Sequence, residues 1–530
     1  MLRKIGVLWA VLAVLGLTGC GSNSPTAAVA TSNDRGTLVE NPPLRVASLN
    51  AADFSAQLSA TTTGQQLLQL AGAPACGVDF YYVKYWTVGP DKSAQLASAA
   101  LMVPTGSAAP CTGPRPIVLY AHGTTTDSAY NIANISDSSN SANSEAATVA
   151  AVFAAQGYIV VAPNYLGYDI STLGYHPYIN GAENADVMMD ALAAGRAALL
   201  TSFTPNTTDS GKLFITGYSE GGYVAMATVK AMQAAGGTVT ASAPASGPYA
   251  VEALVDAIFA GQVNIDSTFL APLLTTSYQR AYGNVYSSPS DLYASTYATG
   301  IDTLLPSTSP ASTLIKEGKL PETALFDSTT PPSAITNNPT LNAQASALLA
   351  LPSSPPYSAS QAALFDVGFG SPYLINDTYR VGYVDDEVMN PDQAEMTLLA
   401  GGTLGSGNLA LAASPAVGLR QDLKLNDMRN GGWFPEEPML MCGGDQDPTV
   451  YFTNAEIMAA LWSPYVQGGL VSVLDLNGTP SGAFATLQGA FQNTYAQLVA
   501  SQGAAAIESY HSTEAPFCLV AARGFFAQVP

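Results

Sequence analysis

The chain has 530 residues, of which 39 are Asp or Glu and 18 are Lys or Arg, giving a net charge of −21. Such an acidic surface repels phosphate backbones and anionic lipid headgroups, which argues against nucleic acid as a partner. Because 48% of the residues are hydrophobic and only 11% are charged, the chain can bury a large core and lacks the composition of a disordered protein.

The amino terminus has the pattern of an export signal. A short basic start, Leu2-Arg3-Lys4, precedes an apolar run from Ile5 to Leu17 that is too short to span a bilayer. Small residues follow this run directly, as they do before a cleavage site. We therefore predict a signal peptide over 1–19 and an exported protein.

The cysteine that follows the small residues indicates how the exported chain is held. Leu17-Thr18-Gly19-Cys20 resembles the lipobox of bacterial lipoproteins, in which the cysteine is acylated. We predict a lipid anchor on Cys20, a location in the bacterial cell envelope, and a flexible tether over 20–44 that is rich in Ser, Thr, Ala and Pro. Ordinary signal cleavage near Ala30, with loss of Cys20 and secretion, is the alternative.

Four further cysteines, an even number, predict disulfides in an exported chain. Of the three possible pairings we favour Cys76–Cys111 and Cys442–Cys518, because each pair lies within one half of the predicted fold. Four unpaired buried thiols are the alternative. Scattered cysteines, only three histidines and no H-E-x-x-H motif give no metal-binding pattern, so we predict no metal.

Strand-like and helix-like segments alternate along the first half of the chain. Phe80–Val88 and Ala94–Val103 are rich in β-forming residues and flank a Gly-Pro-Asp turn, which predicts a hairpin. The next predicted elements are strand 116–121, helix 144–156, strand 158–162, helix 182–200, strand 212–216, helix 221–235 and strand 238–245. Strands separated by helices of this length predict crossovers and a mostly parallel sheet with helices on both faces.

The alternation stops after Pro248 and resumes near Glu437. Helical fragments and many proline breaks, without a convincing apolar strand, fill the interval. Strand 437–442, helix 454–465, strand 470–476 and helical segments 484–500 and 515–526 follow. The sequence therefore predicts an α/β catalytic domain over 45–250 and 434–530, with an inserted, mainly helical cap over 251–433.

The segment Ile215–Val224 (ITGYSEGGYV) lies where a predicted buried strand meets a predicted helix. A serine between two glycines is common by chance, but in this strand–turn–helix context it is the pattern of a nucleophile elbow. Such a turn presents the serine at the carboxyl edge of the sheet, beside the free N–H groups of a helix N-terminus. We predict that Ser219 is a nucleophile; an incidental turn is the alternative.

A serine hydroxyl needs a base to take its proton, and the chain order limits which histidine can do so. In folds with this elbow the partners follow in the order serine, acid, histidine. His122 and His176 precede Ser219, so His511, in a predicted polar loop between two helices, is the candidate base. One histidine in the only admissible position favours catalysis over a structural role.

The acid is expected after the strand that ends at Cys442. Two candidates, Asp445 and Asp447, lie there. The spacing Gly444-x-x-Asp447-x-x-Val450 resembles the turn that carries the acid in many α/β-hydrolases, so we choose Asp447 and expect Asp445 to be a turn residue. A Cys442–Cys518 disulfide would tie this acid loop to the histidine.

An acyl-transfer site also needs two preorganised donors for the developing oxyanion. The N–H of Glu220, directly after the candidate nucleophile, is the first. The second is expected in the loop after the strand ending at Ala121, which makes Gly123 or Thr124 the candidates. A tight strand exit at His122-Gly123 is compatible with this role.

Together these motifs resemble the α/β-hydrolase superfamily over about residues 116–247 and 437–530. The residues that carry the resemblance are Tyr120–Gly123, Gly217–Gly222, Gly444–Val450 and His511. Within the superfamily, Ala162–Tyr168, His176-Pro177-Tyr178 and the G-Y-S-x-G-G elbow are similar to the secretory lipase (lipase A-like) family. That family carries a large helical cap before the acid strand, as predicted here.

The resemblance and the residues imply the same activity, an exported serine carboxylic-ester hydrolase that needs no cofactor. Lipids, short acyl esters or aliphatic polyesters are the expected substrates, with Tyr165, Tyr168 and His176 lining the acyl or alcohol pocket. Ordinary packing is the alternative role for these three side chains. A serine exopeptidase on the same fold and a non-catalytic binding lipoprotein are the alternative functions.

Overall fold

The computed structural model describes residues 34–200, 207–328, 343–349 and 364–530. The predicted signal peptide, Cys20 and the tether as far as residue 33 lie outside the described residues. Among the helices in the described ranges, none has both the length and the apolar character needed to cross a membrane.

The strands occur in two groups, separated by a long insertion. In the described ranges they are β1 (Leu44–Leu49), β2 (Gly77–Val88), β3 (Ala94–Thr105), β4 (Gly113–Ala121), β5 (Ile159–Pro163), β6 (Thr207–Tyr218), β7 (Ala241–Ala245), β8 (Phe326–Asp327), β9 (Phe369–Gly370), β10 (Met439–Gly443) and β11 (Val471–Asp475). All except β8 and β9 form one sheet of order β1-β2-β3-β5-β4-β6-β7-β10-β11. The insertion thus enters after β7 and returns at β10, its neighbour in the sheet.

The helices follow the same division. Those before the insertion are α1 (Ala51–Ser59), α2 (Thr62–Ala71), α3 (Asn143–Val152), α4 (Gly181–Leu200) and α5 (Glu220–Ala234). The insertion holds α6 (Val251–Ala260), α7 (Ser267–Tyr282), α8 (Pro289–Leu292), α9 (Ala311–Lys316), α10 (Ala343–Leu349), α11 (Asp377–Met389), α12 (Gln393–Leu399) and α13 (Gly418–Asn426). After it come α14 (Thr453–Trp462), α15 (Ala485–Gln502) and α16 (Tyr510–Phe526).

The sheet is antiparallel at one edge and parallel through its centre. Strands β1 to β3 pair antiparallel, as does β3 with β5, whereas the pairs from β5 through β11 are parallel. The short central strands β5, β7 and β10 are buried along their whole length, because helices cover both faces of a parallel sheet. Their carboxyl ends therefore meet at one edge, where the loops that carry the candidate site residues begin.

The predicted alternation of strands and helices, and with it the α/β class, is confirmed. The sequence did not predict β1, α1 or α2. The last helix was predicted from residue 515 but begins at Tyr510, so His511 lies in the first turn of α16 and not in a polar loop. Pro516 lies inside α16.

The end of the predicted tether is part of the folded domain. Arg35 donates hydrogen bonds to the carboxylates of Asp186 (2.8 Å) and Asp190 (3.0 Å) on α4. The N–H of Gly36 donates to the carbonyl of Trp86 on β2 at 2.8 Å. The predicted tether over 20–44 is therefore too long at its carboxyl end, because the polar residues from 34 onwards find backbone and ionic partners.

Buried ion pairs hold the first helix of the insertion to its last helices. The guanidinium of Arg420 donates to Asp256 on α6 (2.8 Å) and to Asp386 on α11 (3.1 Å), and all three side chains are almost fully buried. Arg429, just after α13, donates to Asp392 (2.6 Å) and Asp427 (2.8 Å). Removing one partner of such a pair leaves an uncompensated buried charge.

Three glutamates lie buried beside these ion pairs. Burial raises the pKa of Glu252 to about 9, and it raises the pKa values of Glu387 and Glu395 well above the usual range. Nearby carboxylates, Asp256 first for Glu252, act in the same direction. The folded protein therefore keeps protons on these side chains at pH values where the unfolded chain has released them.

This linkage predicts that stability falls as the pH rises from about 5 to about 9. A carboxyl group whose pKa is raised by folding stabilises the folded state fully at pH values below its unfolded pKa. This stabilisation is lost as the pH rises towards the folded pKa. The free energy of unfolding then falls by up to about 1.4 kcal/mol per pH unit for each such proton. Denaturant unfolding across this range measures the slope, and Glu252→Gln is expected to make it shallower. A free energy of unfolding that is constant or increases towards alkaline pH contradicts the prediction.

Candidate active site

Ser219 occupies a sharp turn between β6 and α5. Its backbone angles are φ 61° and ψ −125°, a region that a residue with a side chain rarely adopts. The N–H of Ser219 donates to the carbonyl of Ala245 at the end of β7 (3.0 Å), and this bond fixes the turn to the neighbouring strand. The strained turn predicted for a nucleophile elbow is present.

The glycines around Ser219 are needed because other backbones pass close by. A Cβ atom at Gly217 would lie 2.3 Å from the carbonyl oxygen of Gly221. One at Gly221 would lie 2.1 Å from the carbonyl oxygen of Ala121, and one at Gly222 would lie 2.2 Å from that of Ala245. The G-x-S-x-G-G spacing thus follows from the close packing of the turn against β4 and β7.

His511 and Asp447 are in direct contact, although they lie 64 positions apart in the chain. His511 Nδ1 lies 2.6 Å from Asp447 Oδ2, and Asp447 Oδ1 accepts the N–H groups of Thr449 (2.9 Å) and Val450 (3.2 Å). A carboxylate held in this way can only accept, so the contact places the imidazole proton on Nδ1. The other ring nitrogen, Nε2, is then the basic one.

The environment of this pair suits proton transfer. The side chain of Asp447 is 1% exposed and that of His511 is 16% exposed. His511 Nε2 is buried and has no hydrogen-bond partner in the part of the chain that the structure describes. A buried imidazole nitrogen without a partner is available to a hydroxyl of Ser219 or of a bound substrate.

Asp445, the alternative acid, lies outside this arrangement. It is an exposed residue, and its backbone N–H donates to the carboxylate of Asp475 at 3.1 Å. The structure therefore brings Asp447, and not Asp445, to His511, in agreement with the choice made from the spacing of the acid loop.

Both predicted disulfides are confirmed. Cys76 and Cys111 are joined, with a Cα–Cα distance of 5.4 Å, and Cys442 and Cys518 are joined at 5.5 Å. Cys442 lies on β10, five residues before Asp447, and Cys518 lies on α16, seven residues after His511. The second disulfide thus links the strand that leads to the acid with the helix that carries the imidazole.

Tyr218 brings His511 up to the serine turn. Its hydroxyl oxygen lies 2.5 Å from the carbonyl oxygen of His511 and 3.2 Å from Nδ1, and the two ring centroids are 4.8 Å apart. Because Tyr218 directly precedes Ser219, the imidazole packs beside the turn. Ser219 and His511 both belong to the described residues, and no hydrogen bond joins Ser219 Oγ to Nε2.

The loop after β4, which holds the predicted oxyanion donors Gly123 and Thr124, lies against the serine turn. A Cβ atom at Gly123 would lie 3.9 Å from the Cβ atom of Ser219. The N–H of Gly123, however, donates to Glu145 at 3.1 Å. Among the described residues, the N–H groups of Thr124 and Glu220 have no acceptor. We therefore retain Thr124 and Glu220 as candidate donors and withdraw Gly123, whose N–H is already engaged.

The three predicted pocket residues lie behind this loop. Tyr165 donates to the carbonyl of His122 at 3.0 Å, and Tyr168 donates to that of Thr125 at 2.8 Å. The side chains of Tyr165, Tyr168 and His176 are almost fully buried. Since none of them presents surface to a substrate, we correct their predicted pocket role and assign them to the support of the loop.

A buried pair that the sequence did not predict anchors the start of α5. Glu220 Oε1 lies 2.5 Å from His176 Nε2, and His176 Nδ1 lies 2.9 Å from the carbonyl oxygen of Leu166. Both side chains are inaccessible to solvent. Glu220 thus offers its backbone N–H to the site while its side chain is held by the loop that follows β5. The partners lie 44 positions apart in the chain, so no local pattern predicted this contact.

An apolar cavity of about 80 Å³ lies between the insertion and the site. Among its lining residues are Val251 and Leu254 of α6 and Leu274 of α7. Tyr178 and Val450 also line it; the hydroxyl of Tyr178 lies 3.1 Å from Thr124 Oγ1, and Val450 belongs to the acid loop. The cavity therefore borders the loop that carries Asp447, and one of its lining residues, Tyr178, contacts the loop after β4.

The backbone strain at Ser219 predicts that glycine there stabilises the fold. Glycine adopts φ 61° without steric cost, so Ser219→Gly is expected to raise the free energy of unfolding by about 1 kcal/mol after the entropic cost of glycine. Ser219→Ala keeps the strain and is the matched control. Denaturant unfolding of both variants checks the difference; equal stabilities would show that the turn is not strained.

The comparisons with known proteins match the fold and the site region. A model of the prolyl oligopeptidase family matches residues 144–246, a span from α3 to just after β7. The crystal structure of the rice cell wall degrading esterase LipA from Xanthomonas oryzae has a TM-score of 0.60 at 23% identity, covering 88% of this chain and 98% of that chain. The Legionella pneumophila protein lpg1103 has a TM-score of 0.58 at 18% identity, covering 93% and 98%.

No sequence among curated proteins matches the chain. The structural similarities, which cover most of the chain, and the mostly parallel sheet together indicate the fold. The protein has the α/β-hydrolase fold with a mainly helical insertion.

Proposed function

We propose that the protein is a serine carboxylic-ester hydrolase, with Ser219 as nucleophile, His511 as general base and Asp447 as the acid that orients it. The observation that carries this proposal is the 2.6 Å contact between Asp447 and His511 Nδ1, beside a serine turn, with Nε2 buried and unpartnered. These are the groups that acyl transfer requires, in the chain order of this fold.

In the first step Ser219 Oγ attacks the acyl carbonyl carbon while His511 Nε2 takes the hydroxyl proton. The bond between Oγ and Nε2 forms in the substrate complex, since catalytic hydrogen bonds often tighten only there. The carboxylate of Asp447 stabilises the imidazolium. The N–H groups of Glu220 and Thr124 donate to the developing oxyanion, and these donors are fixed by the helix start and by the loop before substrate arrives.

In the remaining steps His511 returns its proton and water resolves the acyl-enzyme. The imidazolium protonates the leaving alkoxide, which departs as the alcohol and leaves the acyl group on Ser219. Water then attacks the acyl carbon as Nε2 takes one of its protons. The tetrahedral intermediate collapses to the carboxylic acid and the free serine. No cofactor takes part.

The lining of the cavity supports a hydrophobic acyl group as substrate. It consists mainly of aliphatic and aromatic side chains, with no charged residue in the described lining, so an alkyl chain entering it would lose no electrostatic partner. The structurally similar protein from Xanthomonas oryzae is an esterase, which supports an ester as the substrate. We propose esters with an apolar acyl chain.

A serine exopeptidase is the second candidate, and one observation favours it. The matched span of the prolyl oligopeptidase model includes Ser219. The catalytic groups would be the same, so substrate preference separates the two activities.

The proposed location is outside the cytoplasm, with Cys20 carrying a lipid anchor. Disulfides persist in oxidising compartments, and the two disulfides support export. The anchor rests on the sequence around Cys20.

A substrate panel tests the proposed function. We expect p-nitrophenyl esters of increasing acyl length to be hydrolysed in preference to aminoacyl p-nitroanilides, and a fluorophosphonate probe to label Ser219. Ser219→Ala should lose labelling and turnover while remaining folded. Preference for the anilides would replace the ester assignment with the exopeptidase. A folded protein that neither reacts with the probe nor turns over either substrate class would contradict a catalytic role.

A matched pair of variants tests the assignment of the acid. Asp447→Asn is expected to lower kcat on the order of 10⁴-fold, because the amide no longer stabilises the required imidazole tautomer. Asp445→Asn, the same chemical change two residues earlier on an exposed side chain, should keep nearly full kcat. Steady-state kinetics on the best ester measure both. The reverse ranking would assign the acid to Asp445.

A further inference from the structure

Glu514 is a second carboxyl group at the acid–histidine pair. It lies on α16, one turn after His511, and its side chain is fully buried. Its Oε1 atom is 2.8 Å from the hydroxyl oxygen of Tyr218 and makes a shorter contact with the hydroxyl of Ser246. A carboxyl oxygen of Asp447, a ring nitrogen of His511 and a carboxyl oxygen of Glu514 all lie within 4.8 Å of one another.

These contacts join the elements that carry the site. Tyr218 ends β6 and precedes Ser219, Ser246 follows β7, and Glu514 shares α16 with His511. On the acid side, a Cβ atom at Gly444 would lie 2.8 Å from Glu514 Oε2. Glu514 therefore contacts residues at the ends of the two strands beside the nucleophile and lies close to the start of the acid loop.

Counting protons at Tyr218 indicates the state of Glu514. The hydroxyl of Tyr218 has one proton and lies 2.5 Å from the carbonyl oxygen of His511, which can only accept. If Tyr218 donates its proton to this carbonyl oxygen, the hydrogen bond between Tyr218 and Glu514 Oε1, 2.8 Å long, needs a proton from Glu514. A carboxylic acid provides it, whereas a carboxylate would set two lone pairs against each other.

The charges around Glu514 agree with this count. The titratable groups that face it are Asp447 from the acid loop, Tyr218 from β6, His511 and Tyr510 from α16, and Tyr249 after β7. Within the described residues, no lysine or arginine forms an ion pair with it. Burial, followed by the nearby Asp447 carboxylate, raises the pKa of Glu514 well above its usual range.

We propose that Glu514 is a positioning residue that works as a neutral carboxylic acid, holding Tyr218, Ser246 and α16 together so that His511 stays aligned with Ser219. The proposal rests on the proposed function for its kinetic consequence. As a neutral group, Glu514 leaves Asp447 as the only anion among the described residues that contacts the imidazole. Ionisation would put a second negative charge within 4.8 Å of Asp447 and remove the donor to Tyr218, displacing the pair.

The protonated acid has a direct spectroscopic test. In infrared spectra of the full-length protein at neutral pH, we expect the carbonyl stretch of a buried carboxylic acid, which Glu514→Gln removes. Glu508→Gln is the matched control, because Glu508 is an exposed glutamate three residues before His511; it should leave that band unchanged. Absence of any band lost in Glu514→Gln at neutral pH would overturn the proposal. This readout does not depend on turnover.

Kinetics test the positioning role. Glutamine keeps a donor and an acceptor without charge, so Glu514→Gln should keep kcat within about threefold, while Glu514→Ala should lower kcat by about 10- to 100-fold with little change in KM. The alkaline limb of the wild-type pH profile should move to higher pH in Glu514→Gln, and thermal unfolding should show that both variants fold.

Two kinetic results would overturn the proposal: equal large losses in the glutamine and alanine variants, or full kcat in the alanine variant. Ester turnover and fluorophosphonate labelling of the wild-type protein distinguish these two results from failure of the proposed function. If wild-type protein shows no ester turnover and no fluorophosphonate labelling, the proposed function fails, and the infrared spectra still decide the protonation of Glu514.

Discussion

The contact between Asp447 and His511 is the interaction on which the proposed chemistry depends. Its partners lie on separate elements, and three kinds of restraint bring them together. Backbone N–H groups hold the carboxylate of Asp447, a disulfide joins β10 to α16, and the hydroxyl of Tyr218 engages the carbonyl of His511. An imidazole in the first turn of a helix, rather than in a mobile loop, has its backbone fixed by these restraints before substrate binds.

The serine side of the site is held by a different kind of force, close backbone packing. The glycines beside Ser219 admit carbonyl oxygens at distances that any side chain would block. The Glu220–His176 pair fixes the start of α5 to the loop that follows β5. This construction stores strain at Ser219, and the surrounding sheet maintains it because the turn is bonded to β7.

Protonated carboxyl groups recur in this acidic protein. Burial favours the neutral form of Glu252 and Glu395 in the insertion and of Glu514 at the site. A chain with a large excess of acidic residues cannot pair every buried carboxyl group with a cation, so the unpaired ones are stabilised as neutral acids. Burial of carboxyl groups is thus expected to have two consequences. In the insertion it lowers the stability of the fold at alkaline pH, and at the site it places a neutral group beside the base.

The sequence predicted the sheet domain, the insertion, both disulfides and the acid–histidine contact, because each left a local pattern or an even count. It could not predict that the N–H of Gly123 is taken by Glu145, since that contact depends on how α3 packs. For the same reason the sequence does not reveal that Tyr165 and Tyr168 support the loop instead of lining a pocket, because the sequence of a loop does not show which way an aromatic side chain faces. Glu514 left no signal, because its two hydrogen-bond partners, Tyr218 and Ser246, come from distant elements.

The most direct test of the account is a crystal structure of the protein inhibited by an alkyl phosphonate. We predict a covalent bond from phosphorus to Ser219 Oγ, a phosphonyl oxygen within hydrogen-bond distance of the N–H groups of Glu220 and Thr124, and His511 Nε2 facing the Ser219–phosphorus centre. An adduct on another residue, or a phosphonyl oxygen directed away from both N–H groups with His511 turned from the centre, would contradict the account.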